Sequence, residues 1–130
     1  TNHRFGLYDA ILIKENHIIN SKGIKYLIKE SKKRYPDTPT QVEVESLDEA
    51  KIAISAGANR LLLDNFTLGM LSETCKINQE IGNPPALIEA SGNITIDNVK
   101  ETAATGVDFV SIGAITKNIT AIDLSMLIKD

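Results

Sequence analysis

Ala53-Ile54-Ser55-Ala56-Gly57-Ala58-Asn59-Arg60-Leu61-Leu62-Leu63-Asp64 decides the fold. It reads as a helix end, a glycine stop, a short connection and an apolar strand. The same order recurs in Ala103-Ala104-Thr105-Gly106-Val107-Asp108-Phe109-Val110-Ser111-Ile112. Gly57 and Gly106 stand about 50 residues apart, the length of two βα units of about 25 residues each. Regular βα units favour a parallel sheet, and crossovers of one hand close such a sheet into a barrel.

Upstream, Ala10–Lys14 reads as a strand. Ile24, Leu27, Ile28 and Tyr35 then recur at helical spacing, with Lys25, Lys29, Lys32 and Lys33 on a solvated basic face. Pro36-Asp37-Thr38-Pro39 stops that helix. Gln41-Val42-Glu43-Val44-Glu45 alternates strictly and predicts a strand with two unlike faces. Ser46-Leu47-Asp48-Glu49 is a capping box that opens the helix running to Gly57. Downstream of Asp64, Thr67 caps a helix that ends near Gly82. Ala86–Ala90 is a strand, Thr95 or Asp97 starts a helix that ends at Gly106, and Phe109–Ile112 is the last clear strand. The stretch from Thr120 to Asp130 reads as a short helix. The expectation is therefore an α/β protein, a partial parallel β/α barrel of TIM type with about five strands.

Composition narrows the function. The chain has 130 residues, of which 42% are hydrophobic and 24% charged, which suits a single globular domain. A net charge of −3 gives no global field for nucleic acid, and the absence of Trp argues against base-stacking platforms. No segment is long and apolar enough to span a bilayer, and no signal peptide is visible, so a cytoplasmic location is expected. The single cysteine, Cys75, excludes an internal disulfide and reads as a structural thiol. No Cys/His spacing suggests a zinc site.

The polar residues of the strands carry the chemistry. Strand side chains alternate between faces, and the outward face of a barrel packs on helices. Val42, Val44, Leu61, Leu63, Ile88 and Ala90 suit that outer face. Gln41, Glu43, Glu45, Leu62, Asp64, Leu87, Glu89 and Ser91 then turn inward, and Lys14 shares the face of Leu12. A packed structural barrel would hold Val, Ile and Leu there. An interior with Lys14, Glu43, Glu45, Asp64 and Glu89 needs water, counter-charges, a metal ion or a ligand. Glu45 and Glu89 read equally well as members of structural ion pairs. Lys14, Glu43 and Asp64 stand at or near C-terminal strand ends, where barrel active sites form.

Two glycine loops follow the last strands: Ser91-Gly92-Asn93-Ile94 and Gly113-Ala114-Ile115-Thr116. Glycine lets backbone amides approach an anion, and the first loop leads into a helix start. Such paired late loops form the phosphate site of many barrels. At the other end, Asn2-His3-Arg4-Phe5-Gly6-Leu7-Tyr8-Asp9 and the strand ending on Lys14 gather both an arginine and a lysine, with His3 and His17 the only histidines. Functional-looking residues already at position 2 suggest that upstream chain is missing.

These segments resemble the C-terminal barrel domain of quinolinate phosphoribosyltransferases. The carrying residues are Asn2-His3-Arg4-x-Gly6-Leu7-x-Asp9-x-x-Leu12-Ile13-Lys14-x-Asn16-His17, Val42-Glu43-Val44-Glu45, Leu63-Asp64-Asn65-Phe66, Glu89-Ala90-Ser91-Gly92-Asn93-Ile94 and Gly106-Val107-Asp108-Phe109-Val110-Ser111-Ile112-Gly113-Ala114-Ile115-Thr116. The resemblance covers nearly the whole chain.

The resemblance implies a pentosyltransferase. It would move phosphoribosyl from phosphoribosyl pyrophosphate to quinolinate with decarboxylation, giving nicotinate mononucleotide, pyrophosphate and carbon dioxide for NAD biosynthesis. Mg²⁺ is the implied cofactor, accompanying pyrophosphate near Glu43 and Asp64. His3, Arg4 and Lys14 are implied to hold the quinolinate carboxylates. Lys14, Glu43 and Asp64 are the implied catalytic residues. Glu43, Asp64, Ser91, Gly92, Asn93 and Gly113 are implied to line the phosphoribosyl and phosphate pocket, while His17 reads as structural.

Compared with that family, residues 1–130 correspond to the C-terminal part of the catalytic barrel domain, with the N-terminal sandwich domain and the first barrel strands absent. The family assembles as a homodimer or higher oligomer, and one arginine of the site comes from the partner subunit. Little activity is expected of the 130 residues alone. Thr116-Lys117 stands where the family usually has Thr-His. Two alternatives stay open: a non-catalytic barrel piece, and a pyrophosphorylase-like paralogue with another acceptor, such as a molybdenum-transport-associated relative.

Overall fold

The computed structural model of the chain describes residues 10–14 and 21–112. Nine elements alternate: β1 (Ile11–Ile13), α1 (Ser21–Arg34), β2 (Thr40–Val44), α2 (Leu47–Ser55), β3 (Arg60–Asp64), α3 (Leu68–Ile81), β4 (Leu87–Ser91), α4 (Val99–Ala104) and β5 (Phe109–Val110). The five strands form one sheet in sequence order, and every neighbouring pair is parallel. This is the expected partial β/α barrel. The tail from Thr120 lies outside the described residues.

The alternation rule holds on the outer face. Ile13, Val42, Val44, Leu61, Leu63, Ile88 and Ala90 are buried there. They form one core with Ile24 and Ile28 of α1, Ala50, Ala53 and Ile54 of α2, and Leu71 of α3. Each fully buried Val, Leu or Ile contributes roughly 1.5–3 kcal/mol. The lysines of α1 at 25, 29, 32 and 33 are exposed. Lys32, Lys33 and Arg34 occupy the last turn, where cations complement the helix dipole. Tyr35 does not join the apolar stripe. It lies past the end of α1, ahead of Pro36, and is 57% exposed.

The helix starts follow local chemistry. Ser46 Oγ accepts from Glu49 N–H at 3.2 Å. The return arm of the capping box reaches one residue further back than expected, because Glu49 Oε2 accepts from Glu45 N–H at 2.8 Å. Glu45 itself lies just beyond β2 and is exposed. Thr67 Oγ1 accepts from Met70 N–H at 3.2 Å and caps α3. Asn78 of α3 clasps the start of β4: its Nδ2 donates to Ala86 C=O at 2.7 Å, and its Oδ1 accepts from Ala86 N–H at 2.9 Å. The sequence reading of α4 is corrected. It begins at Val99, after a turn through residues 96–98, and spans only six residues. The last strand is also shorter than expected, at two residues.

The internal repeat has a physical basis. Asn59 N–H donates to Thr40 C=O at 2.9 Å, and Asn59 Oδ1 accepts from Thr40 N–H at 2.9 Å. Asp108 repeats this on Ile88: its N–H donates to Ile88 C=O at 2.9 Å, and its Oδ2 accepts from Ile88 N–H at 2.7 Å. In both copies the polar residue two positions after the left-handed glycine (Gly57 at φ 84°, Gly106 at φ 97°) grips one residue of the preceding strand. Side-chain oxygen and backbone together imitate a further rung of the sheet.

Candidate active site

The C-terminal strand ends carry the candidate site. Lys14 follows β1 directly and is exposed. Glu43 is half-buried on β2, opposite Leu62 of β3. Asp64 ends β3, half-buried, and stands opposite Ser91, the last residue of β4. Glu43 and Asp64 therefore sit on the same inner face, one strand and two residues apart, with Cα atoms about 8 Å from each other on standard sheet spacings. His3, Arg4, Gly113 and Lys117 lie outside the described residues.

Asp64 and the Ser91-Gly92-Asn93 loop form one unit. Ser91 Oγ makes a long 3.4 Å contact to Asp64 Oδ1. Asn65 N–H donates to Ser91 C=O at 3.0 Å. Gly92 is left-handed, with φ 78°, and packs tightly under this corner. A Cβ at Gly92 would lie 2.3 Å from Asn65 Oδ1 and 2.9 Å from Asp64 Oδ1. Only glycine combines that backbone with that approach.

Two asparagines complete the loop. Asn93 Nδ2 donates to Asn65 Oδ1 at 3.0 Å. Asn98 Nδ2 donates to Asn93 C=O at 3.0 Å, and Asn98 Oδ1 accepts from Thr95 N–H at 2.8 Å. Asn98 thus spends its amide on the loop and makes no side-chain cap to α4. The loop does not lead straight into a helix N-terminus, as the sequence reading held, but into a turn braced by Asn98. A cavity of about 240 Å³ lies behind it, lined among others by Phe66, Leu71, Ser91, Ile94 and Asn98.

Beneath this rim runs a polar layer. Arg60 Nη2 donates to Glu89 Oε2 at 2.7 Å, and Ser111 Oγ bonds to Glu89 Oε1. The Arg60 guanidinium stands 4.4 Å from the centroid of the Phe109 ring. Glu89 therefore takes the ion-pair alternative. Arg60 was missed as an inward residue, although it shares the face of Leu62 and Asp64 at period two. Asn65 and Asn98 were missed as loop-builders. Asn65, at φ 56°, was the more legible of the two, since asparagine tolerates left-handed backbone directly after a strand.

The donor set bears on a metal. Among the described residues no group of three or more His, Cys, Asp or Glu side chains is gathered to cage an ion. Glu43 and Asp64 supply two carboxylates on one face. That fits Mg²⁺, which binds through one or two carboxylates together with substrate phosphates and water. Away from the site, Cys75 on α3 has its thiol pKa raised, by burial first and by the Asp108 carboxylate second. No helix among the described residues is long and apolar enough to cross a membrane.

A parallel β/α sheet with polar side chains and a close-packed glycine loop at its C-terminal strand ends defines part of a β/α barrel of the TIM type. The chain belongs to the quinolinate phosphoribosyl transferase family, whose C-terminal domain matches residues 1–127. A probable nicotinate-nucleotide pyrophosphorylase (carboxylating) of Methanocaldococcus jannaschii is 38% identical over 128 residues, covering 95% of this chain and 45% of that protein. The human nicotinate-nucleotide pyrophosphorylase (carboxylating) is 32% identical, over 96% of this chain and 42% of its own length. The solved nicotinate-nucleotide pyrophosphorylase of Francisella tularensis superposes with a TM-score of 0.81 and 45% identity, covering 95% of this chain and 43% of that one. The chain thus spans less than half the length of these relatives. A thiamine phosphate pyrophosphorylase of Pyrococcus furiosus, 22% identical with a TM-score of 0.61, shares the fold.

Proposed function

We propose that the full-length protein carrying this chain transfers phosphoribosyl from phosphoribosyl pyrophosphate to quinolinate, releasing pyrophosphate and carbon dioxide and forming nicotinate mononucleotide. Residues 1–130 supply the C-terminal part of its catalytic barrel, and a homodimer or higher oligomer completes the site. The observation that carries the reading is the joining of Asp64 to the Ser91-Gly92-Asn93 loop, in a chain of this family.

In this reading each residue type has a task. Quinolinate is a dianion, so His3, Arg4 and Lys14 hold its carboxylates, with the arginine fork fixing orientation. The ring nitrogen bonds to the anomeric carbon as that carbon's bond to pyrophosphate oxygen breaks. Positive charge grows on the sugar in that step, and the carboxylates of Glu43 and Asp64 stabilise it. Ser91, Gly92, Asn93 and Gly113 hold phosphate oxygens through hydroxyl, amide and backbone donors. Glu43 and Asp64 would also hold Mg²⁺, which would supply charge neutralisation for pyrophosphate. Loss of the carboxylate adjacent to the ring nitrogen leaves an electron pair on carbon, which the cations stabilise until a proton is added.

The test is quinolinate-dependent release of pyrophosphate from phosphoribosyl pyrophosphate in the presence of Mg²⁺. The full-length protein carrying this chain turns over, and residues 1–130 alone do so poorly. Protection against thermal unfolding by quinolinate separates this acceptor from that of a paralogue. A full-length protein that neither binds quinolinate nor releases pyrophosphate overturns the reading.

A further inference from the structure

Glu89 is the one charged side chain that is buried among the described residues, at 1% exposure. Its position is specific. It stands opposite Leu62, one inward layer beneath the Asp64–Ser91 pair. Its two oxygens reach opposite neighbours: Oε2 takes Arg60 on β3, and Oε1 takes Ser111 just past β5. Arg60 is itself braced against the Phe109 ring on β5. One carboxylate on β4 therefore ties together β3, which ends in Asp64, β4, which ends in Ser91, and the exit of β5 at Ser111.

A charged layer is not needed to fill this space. Barrel interiors are packed by Val, Ile and Leu, and a buried ion pair is seldom more stable than an apolar replacement of equal volume. What directional bonds add is relative height. The parallel ladders fix the register of β3, β4 and β5, and a carboxylate shared between a guanidinium and a hydroxyl trims the play that remains at their exits. The rim above needs that control, because an anion held by groups from neighbouring strands is gripped only when they lie within a fraction of an ångström of the required geometry.

We propose that Glu89 is a positioning residue for the phosphate end of the site, acting through Arg60 and Ser111 to set the heights of the β3, β4 and β5 exits. It touches no substrate. The inference rests on the phosphoribosyl-transfer reading and goes beyond it by separating the two substrates. The strands it ties carry Asp64 and Ser91, whereas Lys14 follows β1, at the far edge of the sheet.

The test measures the dissociation constants of phosphoribosyl pyrophosphate and of quinolinate separately, by calorimetry with Mg²⁺, on the full-length protein carrying this chain. Ser111→Ala removes one arm and leaves the Arg60 pair. It is expected to weaken phosphoribosyl pyrophosphate about tenfold, through displacement of the groups at the strand exits, and to leave quinolinate within about twofold. Ser111→Thr restores binding. Glu89→Gln shows the same selectivity with a larger loss. Unchanged phosphoribosyl pyrophosphate binding in Ser111→Ala overturns the proposal, and so does equal weakening of both ligands, which reports general damage to the fold. A parent protein that binds phosphoribosyl pyrophosphate but not quinolinate overturns the acceptor assignment alone. One that binds no phosphoribosyl pyrophosphate overturns both.

Discussion

Asn93 Nδ2 donates to Asn65 Oδ1 at 3.0 Å, and both residues hold left-handed backbone, at φ 51° and φ 56°. Two turns that no L-residue except asparagine or aspartate readily adopts thus face each other across the β3 and β4 exits. Asn65→Ala removes the bond and leaves the strained backbone. It is expected to cost about 1–2 kcal/mol in urea unfolding. Amide hydrogen exchange should quicken around residues 92–95 and stay unchanged in α1.

Gly92→Ala tests the same corner from beneath. The new methyl would meet Asn65 Oδ1 and Asp64 Oδ1 in a backbone that already disfavours it. The expected loss is about 1–3 kcal/mol of stability. Binding of phosphoribosyl pyrophosphate should fall by more than that of quinolinate. Equal affinity of the variant and the parent for phosphoribosyl pyrophosphate would remove this loop from the phosphate pocket.

Breaking the Arg60–Glu89 pair from one side leaves a buried charge. Arg60→Met should destabilise by about 3–5 kcal/mol, and the double variant Arg60→Met/Glu89→Met by much less than the sum of the singles. Thermal unfolding of the four proteins gives the coupling directly. Additive losses would show that the pair acts as two independent side chains.

Asn78→Ala strips Ala86 of both backbone partners. Because the site is buried, the cost is expected at about 2–4 kcal/mol. Asn78→Asp keeps an acceptor for the Ala86 amide but sets a buried carboxylate oxygen against the Ala86 carbonyl, so at about pH 7 it should cost at least as much as Asn78→Ala.

The Cys75 thiol is raised above its ordinary 9.0 by burial and by the Asp108 carboxylate. Above about pH 9 the unfolded chain gives up this proton before the folded one does. The stability that depends on it is fully present below that pH and is lost as pH rises through the folded value. Cys75→Ala should flatten this alkaline part of the stability curve, which urea titrations between pH 8 and about 10.5 would show.

Much of this molecule was legible from periodicity. Strand alternation is a property of the backbone, so Val42, Val44, Leu61, Leu63, Ile88 and Ala90 sort to the helix side without knowledge of their neighbours. The caps at Ser46 and Thr67 were legible for the same reason: donor and acceptor lie within one turn. What escaped depends on partners distant in the chain. The Asn65–Asn93 and Arg60–Glu89 bonds each join residues of different strands or loops, and no local pattern pairs them. The regular turns of α4 open at Val99, later than Thr95 or Asp97, although Val99 N–H already donates to Thr95 C=O. The Asn98 amide braces Asn93 and Thr95 across that opening turn, a pairing that local propensity does not show.

The grip of Asn59 on Thr40 and of Asp108 on Ile88 has a consequence for how such a chain can be copied and altered. Each unit carries its own ruler at the end of the strand remote from the chemistry. A duplicated unit arrives already indexed against the strand before it, and its opposite loop is then free to acquire new side chains without shifting the register on which the rest of the barrel depends.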